Sequence, residues 1–250
     1  MDKEGASLVL LEWAHFLPRT AIGYVGKCFC RPYWGPAGRT AREVANMSQK
    51  PGWLSAHGIP WRRGRSRLVY DNPWISVSEH EATAPTGAQA VYGLVSFKNL
   101  ALAILPIDAA GQVVLVGQHR FPFGDYSWEI PEGGGPKGED PLAGARRELA
   151  EETGLVAAEW RESLRLQLSN SVTDELAIGF LATGLAEIDT AAHADDTEDF
   201  ALARVPFRQA LDAAMAGHIR DALTVAMLLR AYHMAREGLL SDALTRAMLG

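Results

Sequence analysis

Gly133-Gly134-Gly135-Pro136-Lys137-Gly138-Glu139-Asp140-Pro141-Leu142-Ala143-Gly144-Ala145-Arg146-Arg147-Glu148-Leu149-Ala150-Glu151-Glu152-Thr153-Gly154-Leu155 is the stretch on which the reading of this chain turns. Asp140 is a good N-cap, Pro141 suits the first helical position and Gly154 fits the residue just past the end, so the spacing predicts a helix over Pro141–Thr153. Leu142, Ala145 and Leu149 recur at helical spacing and give that helix an apolar stripe to bury. Beside the stripe stand Glu148, Glu151 and Glu152, three and four positions apart on neighbouring rungs of one face, where like charges repel. A cation would relieve that repulsion. Oxygen-only ligands suit Mg2+ or Mn2+, with waters and substrate phosphates completing the shell. Taken alone, three glutamates on a helix are better explained by a solvated acidic face.

Outward from this segment the texture is mostly β. Ser66–Tyr70, Trp74–Ser78, Val91–Val95, Leu100–Leu105 and Gln112–Val116 are short β-rich runs separated by Asp71-Asn72-Pro73, Pro85-Thr86-Gly87 and Asp108-Ala109-Ala110-Gly111, the composition of turns. A mostly antiparallel sheet is expected there. After the helix come two more strands at Ser163–Leu168 and Glu175–Ala182, an acidic loop at His193–Asp199, a strand ending at Val205-Pro206, and Ala- and Leu-rich helical sequence from Phe207 to about Leu249. From Met1 to about Arg65 no period of 2 or 3.6 is sustained, and the segment reads as irregular.

Gly133, Glu139 and the run Arg147-Glu148-Leu149-Ala150-Glu151-Glu152-Thr153-Gly154-Leu155 match every fixed position of the signature of Nudix hydrolases. Seven fixed residues at about 7% each coincide at about one start position in 10⁸. On this ground the chain is identified as resembling that family, whose members use divalent metal to hydrolyse a nucleoside diphosphate linked to another moiety. The fold implied is α/β (α+β): a Nudix α/β/α sandwich with a mixed sheet, preceded by an N-terminal antiparallel β region at 66–97 and an irregular N-terminal extension at 1–65. The Nudix domain would span 66–250, including C-terminal helices at 207–249. Carried over by position, Glu148, Glu151 and Glu152 would be metal ligands, Glu132 would lend a main-chain carbonyl, and Arg147 would orient a glutamate, Glu151 first. Glu139 resembles an anchor of the loop.

The flanks resemble the ADP-ribose and ADP-sugar pyrophosphatase branch. They are Leu115-Val116-Gly117-Gln118-His119-Arg120-Phe121, Ser127-Trp128-Glu129-Ile130-Pro131-Glu132-Gly133-Gly134, Ser169-Asn170-Ser171-Val172-Thr173-Asp174-Glu175 and Ile219-Arg220-Asp221-Ala222-Leu223-Thr224. With them the similarity extends over roughly Leu68 to Leu229. The resemblance makes Arg120 a phosphate contact, sets Glu129 near metal or substrate, and makes Gln118 a substrate-binding residue through the Gln118-x-Arg120 element. It supplies the base from the acidic loop, where Glu198 best matches, with Glu151 as the alternative. Two departures touch specificity: the branch usually has Pro where Asn170 stands and Ala where Glu132 stands. Plainer readings accompany these assignments. Arg120 could pair with a surface acid, Glu129 could point outward, and Trp74 and Trp128 could pack in a core or at a subunit contact rather than stack on adenine.

Rival motifs are weaker. Gly133, Gly135 and Gly138 spell the dinucleotide fingerprint G-x-G-x-x-G, but hairpin-spaced strands precede it and Pro136 sits inside the turn, where a Rossmann unit needs a parallel βαβ start. Gly26-Lys27 is followed by Cys28 rather than Ser or Thr, so it is no P-loop. Cys28-x-Cys30 fits no standard zinc spacing, and Arg62–Arg67 reads as a solvated connector.

The 250 residues are 48% hydrophobic and 22% charged, values of an ordinary globular chain, and exclude a disordered or collagenous one. No run approaches the roughly 20 apolar residues of a membrane span. A formal charge of −6, from 24 Lys+Arg against 30 Asp+Glu, disfavours nucleic acid as a partner. Two cysteines one residue apart point to a reducing compartment, and cytoplasm is the default. The expected substrate is a nucleotide sugar, with no membrane partner. The expected cofactor is Mg2+ or Mn2+. A homodimer is implied by the branch, through β sequence in Leu68–Val95 with Trp74 and Tyr92 available for contact. Other Nudix substrates (a GDP-sugar, a dinucleoside polyphosphate, NADH) and a silent nucleotide-binding module remain as alternatives. Residues 1–46 are expected to be dispensable, with Met47 as an alternative start.

Overall fold

The computed structural model describes residues 50–188 and 200–250. Expectations for the N-terminal extension up to residue 49, including the cysteine pair and Met47, lie outside the described residues, as does the acidic loop with Glu198. Strands β1 (Arg62–Asp71), β2 (Ile75–Thr83) and β3 (Gln89–Phe97) form an antiparallel sheet in sequence order. Strands β4 (Asn99–Pro106), β5 (Gln112–Arg120), β6 (Asp125–Glu129) and β7 (Glu132–Pro136) precede helix α1 (Pro141–Thr153). After it come β8 (Leu155–Gln167), β9 (Leu176–Glu187), β10 (Ala201–Pro206) and helices α2 (Phe207–Met215), α3 (Ala222–Arg236) and α4 (Asp242–Leu249).

One sheet has the order β7-β4-β9-β8, in which β4 and β9 run parallel and the other pairs antiparallel. A second has the order β10-β5-β6 and is wholly antiparallel. The sheet is therefore mixed. Strand β4 is buried on both faces, which is why Leu100–Leu105 reads as a continuous apolar run rather than an alternating one. Its residues divide by parity: Ala103 and Leu105, with Ile107 just past its end, pack with Phe207, Leu211, Met227 and Leu228 of the C-terminal helices, whereas Leu102 and Ile104 pack with Ala145 and Leu149 of α1. Helices thus cover both faces of the strand layer, an α/β/α sandwich.

Helix α1 begins and ends as its sequence dictates. The Asp140 carboxylate accepts from the Leu142 amide at 3.1 Å, and Gly154 closes the helix at φ 66°, a conformation that disfavours a side chain. The C-terminal helical sequence is broken into three helices, with Gly217 at φ 77° and Gly238 at φ 67° in the breaks.

Two strands start well before their expected positions. Strand β1 starts at Arg62, so the arginine run expected as a connector is strand, and two of its four arginines pair across to β2: Arg65 meets Glu81 at 3.1 Å and Arg67 meets Glu79 at 3.2 Å. Strand β8 starts at Leu155 rather than Ser163. It is an edge strand whose first half is mostly solvent-facing, so it carries no alternating apolar signal; pairing to β9 holds it instead.

Candidate active site

The glycines of β7 let α1 lie close on the strand. A Cβ at Gly135 or Gly144 would press on Leu102, and a Cβ at Gly133 would run into the Glu148 carboxylate. Glu148 is thereby seated over the Gly133 main chain. One turn on, the Glu152 carboxylate accepts the Glu132 amide at 3.1 Å. Arg147 binds the Gly134 carbonyl at 3.0 Å and Glu148 at 2.9 Å, and its Nε lies 3.7 Å from Glu151. The arginine expected to orient Glu151 therefore makes its closer contact with Glu148, because its anchor on Gly134 draws it toward β7. Glu151 is half-exposed beside it.

Glu132 joins this glutamate face to a second group of charges. Its side chain is buried, and Oε1 has no hydrogen-bond partner. Burial pushes its carboxyl well above the usual carboxylate range; the nearby charges of Asp221 and Glu129 and a hydrogen bond with Asp221 act in the same direction, and Arg120 opposes them. Glu129, at the end of β6, is almost wholly buried and takes Arg120 in a forked pair, with Nε at 3.1 and 3.0 Å from its two oxygens and Nη2 on one of them. The hydrogen bond to Glu129 raises the Arg120 guanidinium further above its ordinary value, so it stays charged. The pairing expected as the plain reading of Arg120 is present, but its partner is a buried acid.

Asp221 arrives from the other side of the fold. It caps α3, accepting from the Thr224 amide at 2.6 Å, and the buried Thr224 hydroxyl accepts the Ile130 amide at 3.0 Å. These bonds fix the start of α3 against the end of β6. A cavity of about 440 Å³ opens here, lined among others by Arg120, Phe123, Tyr126, Glu129, Arg220 and Asp221. The sequence reading gave no role to Asp221 or Arg220. The available signal was the Asp-x-x-Thr spacing at a helix start, with a hydroxyl inside an otherwise apolar stripe.

The other expected contacts are dispersed. Gln118 lies on β5 opposite Ser127 and does not line the cavity. Trp128 packs against the core on the C-terminal-helix side, and Trp74 is 67% exposed at the β1–β2 turn. Among the described residues, no three His, Cys, Asp or Glu side chains are gathered into a ready cation cage. The donor set nevertheless suits a hard divalent cation: it is all oxygen, Glu148 and Glu152 both meet the Glu132–Gly133 segment, and Glu132 keeps a buried oxygen without a partner.

Residues 98–225 match the family model described as NUDIX domain, which is half of the chain. The chain belongs to the Nudix family. Ahead of the Nudix domain, residues 61–95 match a nucleoside diphosphate sugar hydrolase N-terminal domain, which covers β1, β2 and most of β3. An ADP-ribose pyrophosphatase of Mycobacterium tuberculosis is 32% identical over 139 residues, 55% of this chain and 67% of the relative. A methanol dehydrogenase activator of Bacillus methanolicus is 34% identical, over 64% of this chain and 86% of its own. An ADP-ribose pyrophosphatase of Bacillus subtilis is 28% identical, over 62% and 84% respectively. A solved structure described as an ADP compounds hydrolase superposes with a TM-score of 0.66 at 19% identity, covering 74% of this chain and 98% of that one, a likeness of fold. Use of a divalent metal is general among Nudix hydrolases. Among the described residues no helix of this Nudix protein is long and apolar enough to cross a membrane.

Proposed function

We propose that this Nudix enzyme hydrolyses ADP-ribose or a related ADP-sugar to a nucleoside monophosphate and a sugar phosphate. The observation that carries the reading is the seating of the α1 glutamates on β7, next to a cavity that holds Arg120, in a chain whose first sheet matches a nucleoside diphosphate sugar hydrolase domain. The two similar pyrophosphatases of ADP-ribose support the choice of substrate class.

Glu148, Glu151 and Glu152, with the main-chain carbonyl of Glu132, are the residues that would hold Mg2+, or Mn2+ in its place. When bound, such a cation neutralises charge on the phosphoryl oxygens. Arg147 holds Glu148 in place and stands beside Glu151. Arg120, its plane locked by Glu129, presents positive charge to the diphosphate. Glu198 takes a proton from the attacking water, with Glu151 as the alternative base; Glu198 lies outside the described residues. The water oxygen bonds to one phosphorus, the bond from that phosphorus to the bridging oxygen breaks, and two phosphomonoesters leave.

We also propose a homodimer formed through the first sheet, a cytoplasmic location, and a division of the chain into an extension over 1–65 and a Nudix domain over 66–250. Incubating the full chain and Mg2+ with ADP-ribose, ADP-glucose, GDP-mannose, NADH and dinucleoside polyphosphates tests the activity. The expected outcome is fastest release of AMP from ADP-ribose or ADP-glucose. Preferred cleavage of any of the other three, or of none, overturns the reading.

A further inference from the structure

The cavity beside Glu129 holds two guanidinium groups, and they are not equally available. Arg120 has Nε and Nη2 committed to a carboxylate that is almost wholly buried. Pulling it away would leave a buried charge uncompensated, which is costly. Arg220, on the same cavity, is bound to Asp125, and both side chains are more than half exposed. An exposed pair of this kind contributes little and is readily exchanged.

The backbone beneath Arg220 is fixed by the structure around it. The turn out of α2 passes through Gly217 at φ 77°. The next residue after Arg220, Asp221, caps α3, and Thr224 ties that helix start to Ile130. The guanidinium therefore projects from a rigid root at the rim of the cavity, with Arg120 and Glu129 on the same wall. Three carboxylates line the cavity, Asp125, Glu129 and Asp221, against two arginines. An anionic substrate entering it needs a cation that can leave its acid, and Arg220 is the one whose partner is exposed.

We propose that Arg220 is a second phosphate-binding residue of this site, held by Asp125 in the free protein and transferred to an oxygen of the substrate's diphosphate on binding. The proposal rests on the nucleotide-sugar reading above and adds a residue to it. A guanidinium exchanging one carboxylate oxygen for a phosphate keeps its charge pairing and brings the rest of its fork to the new partner, so the exchange needs no rearrangement of the fold.

The test separates a binding residue from a strap between β6 and the loop before α3, because the two predict different signs for two substitutions that break the same pair. Binding of ADP-ribose with Mg2+ is measured by titration calorimetry in a Glu152→Gln background, and KM and kcat are measured in the otherwise native chain. Arg220→Ala is expected to weaken binding and raise KM by about tenfold or more, the size of a hydrogen bond to a charged group, with kcat falling less. Arg220→Lys should recover part of the loss. Asp125→Asn should tighten binding by about threefold, since it removes the competitor. Arg220→Ala within twofold of the parent, or Asp125→Asn weakening binding as Arg220→Ala does, overturns the proposal. Failure of the substrate reading is recognised separately, as absence of ADP-ribose cleavage by the native chain.

Discussion

At Glu132 the chain places a carboxyl group in a buried position between Asp221, Glu129 and Arg120, with one oxygen unpartnered. Burial raises its pKa above the ordinary 4.5, so the folded state binds the proton more tightly than the unfolded state does. The stability that goes with this proton is fully present below the unfolded value and is lost as pH rises from there through the folded value. Melting of the metal-free protein is therefore expected at falling temperature as pH is raised from the ordinary carboxylate range up to the folded value, levelling beyond it, and Glu132→Gln should flatten the fall, so that the variant gains on the parent most at the high end. A parallel pair of curves would mean that the carboxyl is not held protonated. Glu152→Gln is a different kind of change. It keeps the helix and the capacity to accept from the Glu132 amide but removes a charged oxygen, so turnover should fall by orders of magnitude while the circular dichroism spectrum is unchanged. Near-native turnover at saturating Mg2+ would remove Glu152 from the site.

At the scale of elements, the contact of α1 with β7 decides whether the glutamates sit on the strand. Gly133 is there because Glu148 occupies the space a Cβ would take. Gly133→Ala is expected to displace Glu148 and lower kcat at least about tenfold, while the core beneath the helix, built from Leu102, Ile104, Ala145 and Leu149, is untouched and the melting temperature changes little. A large loss of stability with normal kcat in the surviving fold would reverse that assignment. The helix itself is legible in the residues alone: Asp140, Pro141 and Gly154 bracket it, and the observed bounds are the expected ones. Strands β1 and β8 are less legible because long parts of them face solvent, and what holds them is pairing to a neighbour further along the chain. Local composition carries no trace of such a partner.

For the molecule as a whole, the first sheet presents an apolar surface among the described residues. Leu68, Val69, Tyr70, Trp74 and Val91 are exposed on it, with Val91 at 71%. A second copy would cover such a face, and sedimentation at micromolar concentration is expected to give a dimer; a monomer alone would count against it. Deleting residues 1–46 is expected to preserve turnover and most thermal stability, since every described residue assigned to the site lies in the Nudix domain or the sheet before it. Aggregation or loss of activity of the shortened protein would show that the segment belongs to the fold.

The chain's own order of residues determined the glutamate helix, its caps, the apolar run of β4 and the family, because these are local: spacing along a helix and apolar runs along a strand are visible in a window of a few residues. Only the tertiary structure decided that Arg147 sits nearer Glu148 than Glu151, that Arg120 is locked on a buried Glu129, and that Asp221 and Arg220 join the same cavity. Those arrangements depend on how α1 lies on β7 and how the start of α3 meets β5 and β6, elements separated by up to about a hundred residues of chain, and are set by how the two helical layers close on the sheet rather than by any local preference.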